Sequence, residues 1–321
     1  MDDPETADSR NETAVGKALK HYGVVSSRTM TLCALCNANP PIPESHVVPR
    51  FVVRHIKANS PGNSILNSWE YRKVQDGLKG PYLCKQCDNV VFSRWENHFK
   101  KAVFDPVQDG KPGRWADDNS IRFLLAVAFR YMVHFAETSP VEANRLRNLY
   151  FRDLLRQALD DLTLLGSKLF LYPHQYRPIV AECGFMPGIN HFLQLGFQCH
   201  SLAAEDNLPQ SLLLYLPGMM ILFADGDLSL PKDPDFLDPV LLTPGASAAF
   251  SSANLTMPHF LRPLLNQAVG QTTGHQKSMA MWETIEWKQD KTANPNKKVY
   301  VAQALDSELL SWQKQNCPQT S

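Results

Sequence analysis

Cys33-Ala-Leu-Cys36 and Cys84-Lys-Gln-Cys87 place two pairs of thiols at the C-x2-C spacing. A turn of that length brings two sulfurs to one point, and two such turns supply four thiolates, the tetrahedral set that zinc takes in structural sites. The spacing therefore predicts one structural zinc ion held by Cys33, Cys36, Cys84 and Cys87. The other cysteines, Cys183, Cys199 and Cys317, have no ligand spacing around them and read as buried or incidental thiols. An odd total of seven argues against a disulfide framework. The acidic N-terminal residues offer neither part of a secretory signal, so the chain reads as reduced and cytoplasmic.

Two elements must hold those sulfurs together. The second pair runs into DNVVFSRWENHFKKAVF, where Val91, Phe92, Trp95 and Phe99 recur at helical spacing, with Asn89, Ser93 and Glu96 on another face. The last ligands thus enter a helix N-terminus, where its dipole and Lys85 favour the negative charge of a tetrathiolate. The 47 residues from 37 to 83 have room for a hairpin and its loops. A knuckle, a hairpin and a ligand-bearing helix make a treble clef. Residues 31 to 104 carry ten basic side chains against five acidic ones, a local +5 in a chain whose formal net charge is zero. A polyanion-binding surface is therefore expected to be local.

Between the knuckles stands Glu44-Ser45-His46-Val47-Val48-Pro49-Arg50-Phe51. Together with the two cysteine pairs, this stretch resembles the HNH endonucleases in their zinc-containing ββα-metal form, across about residues 31 to 104. The match lies in the His, the apolar pair and the Pro that follow it, and both knuckles. The resemblance implies that His46 is the general base that deprotonates water for phosphodiester cleavage, a task suited to imidazole. It also implies a catalytic Mg2+ or Mn2+ beside that base. Two positions depart from the family pattern: Ser45 stands where a metal-binding Asp or His is expected, and Asp88 where a His follows the last cysteine. Asp88 still offers oxygen to a hard cation, Glu96 or Asn89 could complete the site, and Asn67 or Asn63 could orient the base. Arg50, Arg54, Lys57, Arg72 and Lys73 flank the motif as candidate phosphate contacts on DNA. The competing reading is a catalytically inactive, zinc-stabilised module that binds nucleic acid or protein, with Asp88 offsetting the helix dipole and Glu96 solvated.

The remainder organises around this module as an α+β protein. Residues 1–28 read as a polar tail with at most a short helix near Val15 to His21, and 29–110 as the HNH-like zinc domain. The Asp-, Gly- and Pro-rich Asp105 to Trp115 reads as a boundary. Residues 111–166 read as helical. Asp118 or Asn119 caps a stripe of Ile121, Leu124, Leu125, Ala128, Phe129, Met132 and Phe135, and Pro140 opens a helix from Val141 to Leu165 that stops at Gly166. Residues 167–321 read as an α+β domain to which the sequence assigns no chemistry, open to a ligand, a protein partner or a dimer contact, with strands at Lys168 to Tyr172, His191 to Cys199, Leu212 to Leu216, Met219 to Phe223, Met279 to Trp287 and Lys298 to Val301, and a helix at Asp306 to Lys314. His134 reads as a packed core histidine; His191 and Cys199-His200 lack partner spacing for a second metal. The apolar runs Phe123 to Phe129 and Leu212 to Phe223 are too short for a membrane-spanning helix. No Gly-rich phosphate loop, dinucleotide fingerprint or nucleophile elbow occurs.

Overall fold

A computed structural model describes residues 30–59, 65–67, 72–74, 76–109, 111, 113–175, 197–202 and 210–226. The expected tail helix, His191, Cys183, Cys317 and every element proposed beyond residue 226 lie outside the described residues.

Strand β1 (Ser45–His46) pairs antiparallel with β4 (Lys79–Gly80), opposing Ser45 to Gly80 and His46 to Lys79. Between them come helix α1 (Arg50–Asn59) and the antiparallel pair β2 (Ile65–Asn67) and β3 (Arg72–Val74). The sequence reading contains no helix at α1. Its Val-Val and Ile suit a strand by propensity, yet Val52, Val53 and Ile56 sit at i, i+1 and i+4 and are buried, while Arg50 and Arg54 face out. Pro49 starts it, its carbonyl accepting from the Val52 and Val53 amides at 3.0 and 3.1 Å.

Helix α2 runs without a break through Cys87–Phe92, Ser93–Phe99, Lys100–Phe104 and Asp105–Gln108, the first and third stretches wound as π-helix. It buries Phe92 and Phe99 of the expected stripe, leaves Val91 and Trp95 partly buried, and carries the buried face on through Val103 and Phe104. The segment that follows is pinned by the Arg114 amide on the Ala102 carbonyl (2.9 Å) and by the buried Trp115.

Helix α3 (Asp118–Thr138) is capped by Asp117, one residue before the expected caps, whose carboxylate accepts from the Asn119 and Ser120 amides. From Ser120 to Val133 every residue except Arg122 is buried, so α3 is a central helix wrapped on all sides rather than a one-faced stripe. Helices α2 and α4 (Glu142–Asp160) pack along it. The expected helix to Leu165 instead ends at Asp160 and gives way to a 3-10 turn, Leu162–Leu164, after which Gly166 adopts φ +80°.

Strands β5 (Phe170–Gln175), β6 (Gln198–Leu202), β7 (Ser211–Leu216) and β8 (Met219–Ala224) form an antiparallel sheet in the order β5-β8-β7-β6. The β7–β8 hairpin turns on Pro217-Gly218, with Gly218 at φ +76°, the order that a type II turn favours. Gln108 at the end of α2 donates to the Pro217 carbonyl at 2.6 Å, tying turn to helix. Every residue of β7 and β8 is buried. One apolar cluster runs from Cys33 through the helices to Phe223. The architecture is therefore mixed helix and sheet, with a cysteine cluster at its N-terminal end. Among the described residues, no helix is long and apolar enough to cross a membrane.

Candidate metal centre and the polar cluster around His46

Main-chain hydrogen bonds bring the two cysteine turns together. The Cys33 amide donates to the Asn39 carbonyl (2.7 Å), and the Asn37 amide closes the turn on the Cys33 carbonyl (2.9 Å) with Asn37 at φ +53°. The Ala34 and Ile42 amides donate to the Tyr82 and Leu83 carbonyls (2.9 and 2.8 Å), zipping the first turn to the segment entering the second. The Asp88 amide on the Cys84 carbonyl (3.0 Å) leads into α2.

The four sulfurs lie within 4.8 Å of one another, with Cys36 Sγ and Cys84 Sγ 3.8 Å apart. A disulfide needs about 2.05 Å. A tetrahedron with metal–sulfur bonds of about 2.3 Å has edges of about 3.8 Å, so the donor set fits a four-coordinate ion. Burial pushes the Cys33 and Cys87 thiols up, and sulfur neighbours push Cys87 further. Cys36, exposed and receiving hydrogen bonds from the Asn39 and Ala38 backbone, is lowered to about 6. Four thiolates this close require a cation, so the cluster can hold a metal ion.

On the other side of the hairpin sits His46, at the end of β1 and half-buried. Burial lowers its pKa, the Arg50 and Lys79 charges lower it further, and Asp76 and Asp88 oppose them. Burial raises Asp88, which Arg130 and His46 pull down and Glu96 pushes up. His46, Asp88, Glu96 and Arg130 thus share one electrostatic neighbourhood. Arg130 comes from the middle of α3 and is 2 % exposed. Its Nη1 donates to the His46 carbonyl (3.0 Å) and lies 2.9 Å from Glu96 Oε1, and its guanidinium stands 5.1 Å from the Phe92 ring centre.

The expected site residues divide accordingly. The four cysteines converge. Asp88 stands within electrostatic reach of His46. Glu96, expected either as a metal ligand or as a solvated acid, is ion-paired to Arg130 with its side chain 21 % exposed. Among the described residues, the four cysteines are the one group of three or more His, Cys, Asp or Glu side chains close enough to hold a metal. Asn67 lies in β2 and Arg72 and Lys73 in β3, with their side chains outside the described set; Asn63 is outside it altogether. Arg50 and Arg54 lie exposed one turn apart on α1, and Lys57 continues their face, partly buried.

Ser45 shows why no metal-binding residue occupies its place. It is 1 % exposed; its hydroxyl donates to the Gly80 carbonyl (2.7 Å) and accepts from the Tyr82 and Leu83 amides (3.2 Å each). It joins β1 to the second cysteine turn. His134 packs as expected, its Nδ1 2.7 Å from the Tyr82 hydroxyl, and burial lowers it to about 4.

The residue that sequence reasoning missed is Arg130. Its signal was present: a single charge inside Phe123 to Val133, a run otherwise without charge, must be paired or put to use. Searches against protein-family models, curated proteins and solved structures match none of them to this chain.

Proposed function

We propose that this protein is an HNH-type, metal-dependent endonuclease that hydrolyses phosphodiester bonds of DNA, with a zinc treble clef as its scaffold. The observation that carries the reading is the position of His46 at the end of β1 and of Asp88 in the first turn of α2, directly after the last cysteine. The family motif carries its base at the first of these positions and a His at the second, where Asp88 offers an oxygen to a cation instead. A lowered pKa keeps His46 neutral at pH 7 and able to take a proton.

His46 removes a proton from water, whose oxygen forms a new bond to phosphorus. The bond to the leaving nucleoside oxygen breaks, and that oxygen takes up a proton. A divalent ion, when bound, polarises the phosphate and offsets the charge on the leaving oxygen. Asp88 would be the carboxylate that holds it. Mg2+ commonly uses one or two carboxylates together with substrate phosphate oxygens, which suits a site with so few free oxygens of its own. Arg50, Arg54 and Lys57 line the α1 face as contacts to the DNA backbone.

The test is cleavage of plasmid, linear and single-stranded DNA by the zinc-loaded full chain with Mg2+ or Mn2+. His46→Ala is expected to lose at least 100-fold in rate with DNA affinity unchanged. Equal cleavage by parent and His46→Ala across DNA and RNA removes His46 from the chemistry. The engagement of Ser45 and Glu96 in internal bonds favours a second reading, a nucleic-acid-binding module without turnover. It predicts salt-dependent DNA binding and no metal-dependent product.

A further inference from the structure

Arg130 carries five N–H donors, and the residues around it use only those of Nη1. Nε and Nη2 are buried and have no hydrogen-bond partner among the described residues. These are not two arbitrary atoms. In a planar guanidinium the Nε–H and one Nη2–H point the same way from one edge, and that parallel pair is the fork that takes two oxygens of a carboxylate or phosphate at once. The same side chain has turned its other corner to Glu96 and the His46 carbonyl, which fixes the plane of the fork. Leaving such donors without an acceptor is costly for a charged group, and none of the described residues supplies one, which leaves the edge open to a bound oxyanion. The acids that share its field are accounted for: Glu96 is on Nη1, and Asp88 is not among its ion pairs.

We propose that the Nε/Nη2 edge of Arg130, whose Nη1 corner holds the His46 carbonyl, is a phosphate-binding fork taking two non-bridging oxygens of a phosphate group. The choice of phosphate over another oxyanion rests on the nuclease reading and on the basic face of α1 beginning at Arg50. The fork supplies fixed positive charge where Ser45 denies the site a metal-binding side chain. The fork is itself buried, so a phosphate reaches it only once the side chains that cover it move aside. Asp88 and Glu96 repel a phosphate, which the fork has to outweigh.

The experiment titrates zinc-loaded full-length protein with inorganic phosphate and, separately, with a thymidine dinucleotide, each with and without Mg2+, by calorimetry. Arg130→Lys keeps the charge but loses the fork, and is expected to weaken both ligands at least tenfold while retaining zinc and a cooperative melt. A preference for the dinucleotide identifies a nucleic-acid phosphodiester; equal binding identifies phosphate as such. Parent-level binding by Arg130→Lys, or loss of binding only in Arg50→Gln/Arg54→Gln, overturns the proposal. If Arg130→Lys fails to fold, 15N spectra of the arginine Nε–H groups in the parent decide: a slowly exchanging resonance must shift on saturation with phosphate, and its failure to shift also overturns it. Arg130-dependent phosphate binding without DNA cleavage defeats the nuclease reading and leaves the fork standing. Cleavage by an Arg130→Lys variant that binds phosphate normally does the reverse.

Discussion

Replacing Ser45 by alanine tests how the hairpin bearing His46 is fastened to the metal centre. The hydroxyl makes three hydrogen bonds at 1 % exposure. The Tyr82 amide also donates to the Gly80 carbonyl at 3.0 Å, so those two groups keep each other as partners once the hydroxyl is gone. The Leu83 amide is then left buried and alone. One orphaned amide costs about 1–3 kcal/mol, and each of the two weakened groups adds about 0.5 kcal/mol. The expected loss is about 2–4 kcal/mol, a large part of the roughly 5–15 kcal/mol that holds an ordinary domain folded. Ser45→Asp, the change that would restore the family's ligand type, is expected to cost more. It places a charge in the same buried position and turns an acceptor toward the Gly80 carbonyl. Urea unfolding of zinc-loaded protein, followed by tryptophan fluorescence, measures both. A Ser45→Ala variant within 0.5 kcal/mol of the parent, or a Ser45→Asp variant more stable than Ser45→Ala, refutes the assignment of Ser45 as the internal fastener.

Three further outcomes follow from the same geometry. Metal analysis should return one tightly held zinc per chain, and chelation or Cys84→Ser should raise hydrogen exchange first across 30–109; full protection there without metal counts against the structural ion. Stability should fall as pH drops from about 6.5 toward 4, because His55, His134 and His200 are each lowered to about 4 by burial. The unfolded chain binds more protons than the native one in that window, so each contributes stability that is complete above about pH 6.5 and is lost on acidification, at most about 3 kcal/mol apiece. Urea midpoints that stay level between pH 7 and 4.5 contradict this. Cleavage, where it occurs, should reach its plateau on the acid side of the usual histidine range, since the His46 pKa is depressed; a rising limb centred above pH 7 assigns the base elsewhere.

Much of the metal centre was legible in the residues, because C-x2-C is a local device whose geometry depends on a single turn. The β7–β8 hairpin was legible for a similar reason, since Pro217-Gly218 interrupts two apolar runs. Helix α1 was hidden because β-branched residues argue for a strand by propensity, and only burial of Val52, Val53 and Ile56 against neighbours distant in sequence makes the helix the better solution. The full burial of α3 was equally hidden, since its flanking layers come from residues far along the chain. The roles of Ser45 and Glu96 depended on partners 35 and 34 residues away, Gly80 and Arg130, which no spacing rule brings together.

The sequence by itself determined the identity and pairing of the four thiols, the placement of a histidine between them, and the helix that leads away from the last cysteine. These are short-range properties, written in spacing and residue type. Only the tertiary structure decided what surrounds that histidine. It closed the Ser45 position to any ligand, tied Glu96 to a guanidinium delivered from α3, and left that guanidinium's Nε/Nη2 edge without a partner among the described residues. Such facts arise from packing between elements, where a buried charge must find its neighbours in space rather than along the chain.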